Sequence, residues 1–399
     1  MQKHVLVACH AWYGDECGGS FRLASEFAQH LAEQGYRVSY VCCSPGTTEA
    51  LPEAGTSDGV HLFRYPASRR KRTGPGRMHY HLHMTRQLVR RINAQNPIDV
   101  LSGHSPLQAL GAARSLNGSK AFVNYTVHSP FDEELLSNSI VHPPKLKIRL
   151  AALAARQIDR QNVRHANRLQ TLSQFTLDNF TDKFGSLAET KGIVAPGWVE
   201  ADRFVPHKDI QALRKKLGGP WQTDSPILFT LRRLESRMGL DTFIEACAIL
   251  SQQGLNFRTL IGGGGSMRNH LQGLINSLGL QEHIHLLGRL PEESLPIAYA
   301  ACDCFVLPTR ALECFGLIVL EAFACNTPVI ASRAGAIPEL ASRQGEQWMF
   351  EPANVEQLAD RLRNFLTGKR TPEIDLRSAA LEFDKPKILR QWTELLNIL

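Results

Sequence analysis

No long apolar run occurs in this chain of 399 residues. Nothing in it approaches the roughly 18–20 uncharged residues of a membrane-spanning helix. The apolar opening, residues 4–9, is too short and wrongly flanked for a signal peptide. The nine cysteines include no CxxC pair and no His/Cys set at zinc spacing. That pattern is expected of reduced, mostly buried thiols in a cytosolic protein. Also missing are a GxxxxGK[ST] loop, a GxGxxG turn after the first strand, a DxD cluster and a repeat of fixed period. These absences exclude a P-loop nucleotidase and a solenoid, and argue against a nicotinamide-dependent Rossmann enzyme.

What is present is ordinary globular material. Hydrophobic residues make up 43% and charged residues 21%, which argues against disorder. At roughly 100–200 residues per domain, the length suggests two domains. Forty-five basic residues against 38 acidic ones leave a net charge of +7. Part of that excess is local: Arg69-Arg70-Lys71-Arg72, followed by Gly74-Pro75-Gly76-Arg77. Such a run fits a solvated loop, or attachment to an anionic partner such as acidic phospholipid or a phosphorylated substrate. Nucleic acid is not expected, because aromatic residues do not alternate with the basic ones.

The apolar rhythm is that of crossover-linked parallel sheets. Residues 4–9 form a short apolar run, and a polar, glycine-containing loop follows over residues 10–19. Phe21, Leu23, Ala24, Phe27, Ala28 and Leu31 then recur at helical spacing, with Gly35 as the stop. Residues 36–43 read as the next strand. Short runs at 100–101, 121–127, 169–172 and 192–195 continue the scheme. It restarts after a Pro/Gly-rich zone, 196–206. Strands are expected at 227–231, 257–261, 284–287, 304–307 and 329–331. Helices are expected at 240–250, 266–278 with Ser266 as N-cap, 292–301 and 317–325. Strands that are apolar throughout belong to sheets buried on both faces. The expected fold is therefore two doubly wound α/β domains with a ligand cleft between them.

Four places in this scheme carry chemistry. In Glu313-Cys314-Phe315-Gly316-Leu317-Ile318-Val319-Leu320-Glu321, a carboxylate precedes a helix start whose free amides make an anion site. Glu321 lies on an otherwise apolar helix with no basic partner in sequence. It is either a partly exposed helix-edge residue or a carboxylate that accepts hydrogen bonds from ligand hydroxyls. The second place is Arg232-Arg233-Leu234-Glu235-Ser236-Arg237-Met238-Gly239, directly after a buried strand, where guanidinium forks match phosphate oxygens. A surface charge cluster would look the same, and only the conjunction with the first place favours a site. The third is Gly18-Gly19 before the first helix, a phosphate approach or a plain turn; the tetraglycine at 262–265 is equally ambiguous. The fourth is His128, with His104, each ending an expected strand in either a structural or a cleft-lining position.

Taken together, the sequence resembles the retaining glycosyltransferases of family 4, which have the two-domain GT-B fold. The resemblance runs over nearly the whole chain: the Gly18-Gly19 helix ending "LAEQGYRVSYV", then "YTVHSPF", "PGWVEADRFVP", "GGGGSMRNHLQGLINSLGL" and "LGRLPEESLPIAYAACDCFVLPT" in the expected order. Its most specific piece is residues 313–321 continuing into "FACNTPVIAS", which looks like that family's glutamate–seven-residue–glutamate motif.

The resemblance implies an acceptor-side Rossmann-like domain over 1–203, with a last helix at 383–399 packing back on it, and a nucleotide-sugar-binding domain over 204–382. It implies that Glu321 holds the ribose hydroxyls and Glu313 the sugar hydroxyls. The amides of Phe315, Gly316 and Leu317 would meet the sugar and distal phosphate, and Arg233 the diphosphate. His128 would line the donor sugar, and Gly19 would lie near the phosphate or acceptor. The family usually has a lysine where this chain has Met238, so Arg237 is a candidate substitute. Gly335-Ala336 stands where two glycines are common, and Pro196 where an asparagine is.

The implied reaction moves a sugar from a nucleotide diphosphate, UDP by default, to an unspecified acceptor hydroxyl. It proceeds with retention and without metal or separate cofactor, in glycan, glycolipid or small-glycoside biosynthesis. A cytoplasmic location is expected, with Arg69, Arg70, Lys71 and Arg72 touching an anionic membrane. The rivals are another GT-B enzyme such as a nucleotide-sugar epimerase, which needs no acceptor, and a non-enzymatic protein that binds anionic surfaces.

Overall fold

The computed structural model describes residues 2–16, 18–45, 54–67, 74–137, 145–369 and 371–397. The basic run Arg69-Arg70-Lys71-Arg72 lies outside these. The chain divides into two compact units, Met1–Gly197 with Pro386–Leu399, and Trp198–Lys385.

The first unit is built on β1 (His4–Ala8), β2 (Arg37–Cys43), β3 (Ala54–Ser57), β4 (Val60–Tyr65), β5 (Val100–Gly103), β6 (Phe122–Val127), β7 (Arg168–Thr171) and β8 (Gly192–Val194). They pair in the order β3-β4-β2-β1-β5-β6-β7-β8. Every pairing is parallel except β3 with β4. Val5, Leu6, Val7 and Ala8 of the central strand are completely buried, as their unbroken apolar run requires. The hairpin β3–β4 was not visible in the sequence. Its inner strand carries Arg64, whose buried guanidinium is paired at 2.7 Å with Asp15 from a distant loop. The helix Lys385–Leu395 packs in this unit as well. Its Trp392 is fully buried, meets the Phe27 ring edge-on at 5.3 Å, and donates its indole N–H to the Pro196 carbonyl at 2.9 Å.

The second unit is a six-stranded sheet of β9 (Ile227–Leu231), β10 (Arg258–Gly262), β11 (Ile284–Gly288), β12 (Cys304–Leu307), β13 (Val329–Ser332) and β14 (Met349–Phe350). The order is β11-β10-β9-β12-β13-β14, and all pairings are parallel. Winding proceeds outward from β9 to one edge and from β12 to the other. The strand order therefore reverses between β9 and β12, and the loops at their carboxyl ends open a crevice there. Phe229 of β9 and Phe305 of β12, both fully buried, pack with ring centroids 5.8 Å apart and seal the floor below it.

One helix differs from expectation. Ser266 does not cap it: the helix spans Arg268–Ser277, and the Ser266 hydroxyl donates to Glu235 at 2.7 Å. The eight described cysteines are all free and buried. Burial pushes seven of these thiols up, Cys247 and Cys325 to about 12. No described helix is long and apolar enough to cross a membrane.

Candidate functional site

Both loops that hold the strongest sequence signals leave the sheet at the reversal between β9 and β12. Arg232 is the first residue past β9. Its amide donates to Gly262, and Leu234 donates to Gly264, so the loop runs as an extension of the sheet along the tetraglycine. A Cβ on Gly263 would collide with the Arg232 carbonyl. Gly263 and Gly265 thus serve close backbone approach to Arg232 and Leu234.

The Arg232 side chain is only 6% exposed. Its Nη2 donates to Glu313 Oε2 at 2.8 Å and lies 3.0 Å from the Met238 sulfur. Its donors on Nε and Nη1 have no protein acceptor among the described residues. Sequence reasoning passed over this residue in favour of Arg233. The available signal was position alone, the first residue after a fully buried strand. Arg233 is exposed and has no carboxylate partner among the described residues. Arg237 Nη1 donates to the Leu312 carbonyl at 2.8 Å, which ties its guanidinium to the backbone just before Glu313.

Glu313 lies in the loop after β12. Its own carbonyl accepts the Ala336 amide at 2.7 Å, and a Cβ on Gly335 would strike that carbonyl. Gly335 is thus the glycine the close approach needs, while Ala336 fits where a second glycine was expected. The helix Leu317–Ala324 begins behind Gly316, which is left-handed at φ 94° and provides no side-chain cap. The amides of Phe315, Gly316 and Leu317 have no protein acceptor among the described residues. Amides of this kind, following a segment held by Arg232 and Arg237, have the chemistry to receive an anion.

Glu321 is 7% exposed, one turn into the same helix. Of the two readings the sequence left open, the partly exposed helix-edge residue is corrected by this burial. Its charge is felt by the buried Tyr299 hydroxyl, which burial first and Glu321 second push well above the ordinary phenol range. The Cys325 thiol is raised by burial and then by the same carboxylate.

In the first unit, His128 follows β6 and His104 follows β5. The rings stack with centroids 5.3 Å apart, and His104 Nδ1 lies 3.0 Å from His128 Nε2. Ser102 Oγ is 3.0 Å from His104 Nε2, so a serine and two imidazoles form one hydrogen-bonded chain. Burial lowers the His128 pKa to about 4; burial and then His128 hold His104 well below its usual range. Both rings are neutral at physiological pH. Gly19 is the exposed first residue of the helix Gly19–Glu33, which also lacks a side-chain cap. The structure therefore gathers Arg232, Arg237, Glu313 and residues 315–317 around one crevice of the second unit, and sets Arg233 on the same loop. Gly19 and His128 belong to the first unit. Among the described residues no group of three or more His, Cys, Asp or Glu side chains is placed to hold a metal ion.

The two halves of the chain match two family descriptions back to back. Residues 17–203 match Glycosyltransferase Family 4, and residues 209–380 match Glycosyl transferases group 1. The chain belongs to the family 4 glycosyltransferases of GT-B fold. Over 206 residues it is 33% identical to a GDP-mannose-dependent alpha-(1-6)-phosphatidylinositol monomannoside mannosyltransferase of Mycolicibacterium smegmatis. That alignment covers 50% of this chain and 53% of the relative, so the chain spans about half the length of the curated relatives it matches. Sucrose-phosphate synthase from Thermosynechococcus elongatus superposes with a TM-score of 0.83 at 19% identity, covering 100% of this chain and 98% of the other. Anabaena HepE in complex with UDP and glucose superposes at 0.76 and 19% identity, with full coverage of both chains. These two likenesses establish the fold.

Proposed function

We propose that the protein transfers a sugar from a nucleotide-diphospho-sugar to an acceptor hydroxyl, with retention at the anomeric carbon. The observation that carries this reading is the crevice after β9 and β12. Amides at 315–317 without a described protein acceptor and the pair of buried Arg232 with half-buried Glu313 lie there, with Arg233 on the same loop and the buried Glu321 in the helix that follows. Phosphate oxygens suit the cations and amides, and sugar hydroxyls suit the carboxylates. As the bond from the anomeric carbon to the diphosphate breaks, its electron pair stays on the leaving oxygen. Arg233, the free Arg232 donors and the amides meet that growing charge. The acceptor hydroxyl forms the new bond and gives its proton to the leaving diphosphate. His128, held neutral, lines the sugar without adding charge. Arg237 holds the backbone before Glu313 in place. The arginines make a metal unnecessary, and the donor is a substrate, so no resident cofactor is required.

UDP is the first candidate nucleotide, and GDP-mannose the second, favoured by the name of the mycobacterial relative. The product belongs to glycan, glycolipid or small-glycoside biosynthesis, on the cytoplasmic face of a membrane where Arg69, Arg70, Lys71 and Arg72 meet anionic lipid. A thermal-shift panel of nucleoside diphosphates and their sugars tests the donor. A nucleotide at 100 times its dissociation constant adds about 2.7 kcal/mol of stability. The reading fails if no nucleotide raises the unfolding midpoint. Turnover of donor without acceptor would favour the epimerase instead.

A further inference from the structure

The helix Leu146–His165 of the first unit has one face the reaction does not use. Its inner side buries Ala152, Ala155, Ile158 and Val163. Asp159, the helix's only carboxylate, is buried too: it accepts the Tyr125 hydroxyl at 2.8 Å and the Phe131 amide at 2.9 Å. No negative charge is left for the outer side. There Leu146, Leu150 and Leu153 stand 69%, 56% and 61% exposed at helical spacing. Lys147, Arg149, Arg156, Arg160 and Arg164 are exposed with them, and none has a carboxylate partner among the described residues. Beside Leu153 a shallow cavity of 650 Å³ is lined by Phe184, Arg156, Arg160 and Lys183. Lys183 is already paired with Asp132 and Glu133 at 2.7 Å, so Arg156 and Arg160 provide its uncompensated charge.

We propose that this face lies on an anionic lipid bilayer, with the three leucines entering the acyl boundary and Arg156 and Arg160 holding a lipid phosphate in the cavity. Three exposed leucines in a row gain nothing from water, and an apolar phase removes them from it. Cations beside the stripe match anionic head groups, each adding about fivefold in partitioning near such a surface. A second copy of the chain fits poorly, since the face would meet its own positive charge. Nucleic acid fits poorly as well, since it has no apolar phase for the leucines. The surface does not depend on the chemistry at residues 313–321. Lipid binding and nucleotide binding are read separately, so either reading can fail alone.

The test is flotation with vesicles of phosphatidylcholine alone and of equal parts phosphatidylcholine and phosphatidylglycerol, at low and high salt. The parent should float only with the anionic vesicles. Leu150→Glu/Leu153→Glu should lose roughly a hundredfold in partitioning, on the order of tenfold for each leucine. Arg156→Glu/Arg160→Glu should lose at least about fivefold per cation. These side chains are exposed, so unfolding midpoints should hold; Leu150→Gln/Leu153→Gln serves if the glutamates disturb the helix. Unchanged flotation of the leucine variants overturns the proposal, because adsorption would then be by charge alone. It is also overturned if only a four-alanine change at 69–72 abolishes flotation. The same holds if sedimentation shows a parent dimer that the leucine variants split while neither form floats.

Discussion

The side chains around Met238 show how one replacement is met by its neighbours. Met238 is buried and cannot donate to phosphate, yet the Arg232 guanidinium reaches its sulfur. The Arg232 cation at this corner is paired with Glu313, and Arg237 donates to the Leu312 carbonyl. Arg232→Ala should leave Glu313 half-buried without its partner and lower turnover by roughly 10²–10³, on the scale of a lost oxyanion donor. Met238→Lys in the parent should destabilise the fold, since it puts a second cation beside Arg232. In the Arg232→Ala background it should restore part of the rate. Steady-state kinetics on the three variants check this, and a double variant no better than Arg232→Ala would show that charge at this point is not what matters. Arg233→Ala should cost a similar factor, with Arg233→Lys recovering only part because the bidentate fork is lost. Glu321→Gln should weaken nucleotide binding, because hydrogen bonds to a charged group contribute about 1.5–3 kcal/mol each. Calorimetry with UDP and GDP reads it directly; unchanged affinity for the nucleotide that binds would remove Glu321 from the donor site.

Secondary-structure elements explain why some of the site was legible and some was not. β9 and β12 read clearly because all their residues but Thr230 are apolar, and that placed residues 232–239 and 313–321 at one sheet edge. The choice between Arg232 and Arg233 was not legible, because it depends on which side of the extended chain faces Glu313, a residue far along the sequence. The hairpin β3–β4 was hidden for a related reason: Arg64 in β4 is tolerable inside only because Asp15 comes from another loop. Ser266 had the right chemistry for a cap, but Glu235 engages both its amide and its hydroxyl. The tetraglycine carries its information in what it touches. Gly263→Ala should therefore act on the neighbouring strand end: the new Cβ would push the Arg232 carbonyl and displace its guanidinium from Glu313. The expected outcome is lost stability together with a fall in turnover. Gly273→Ala, inside the helix Arg268–Ser277 with nothing within 4 Å of its Cβ, is the control that should leave turnover unchanged and raise stability by about 0.5–1 kcal/mol.

At the scale of the whole molecule, the chain leaves the first unit after Gly197, builds the second, and returns at Pro386. The first unit is therefore completed by residues that follow the second unit in the chain. Its acid sensitivity has an identifiable source in His128 and His81, both with pKa values lowered to about 4 by burial. The folded pKa lies below the usual 6.5. Between those values the unfolded chain binds more protons, and stability falls as pH drops through the window, by at most about 1.4 kcal/mol per pH unit for each group. His128 is half-buried, and solvent reduces its share. His128→Asn should flatten the dependence of the denaturant midpoint on pH between 6.5 and about 4; an unchanged slope would leave the effect to His81 and other groups. Trp392 tests the return of the chain itself. It is fully buried against Phe27 and anchored on Pro196. Trp392→Ala should cost about 3–5 kcal/mol, as for large aromatic side chains removed from a core. That loss should fall on the first unit alone. In calorimetry the nucleotide that binds should raise one transition, belonging to the second unit, and Trp392→Ala should lower the other. Nucleotide affinity should stay near the parent value, because residues 232–237 and 313–321 belong to the second unit while Trp392 packs on Phe27 and His104 of the first. A single transition lowered together with nucleotide affinity would mean that the two units unfold as one, and that the last helix stabilises both.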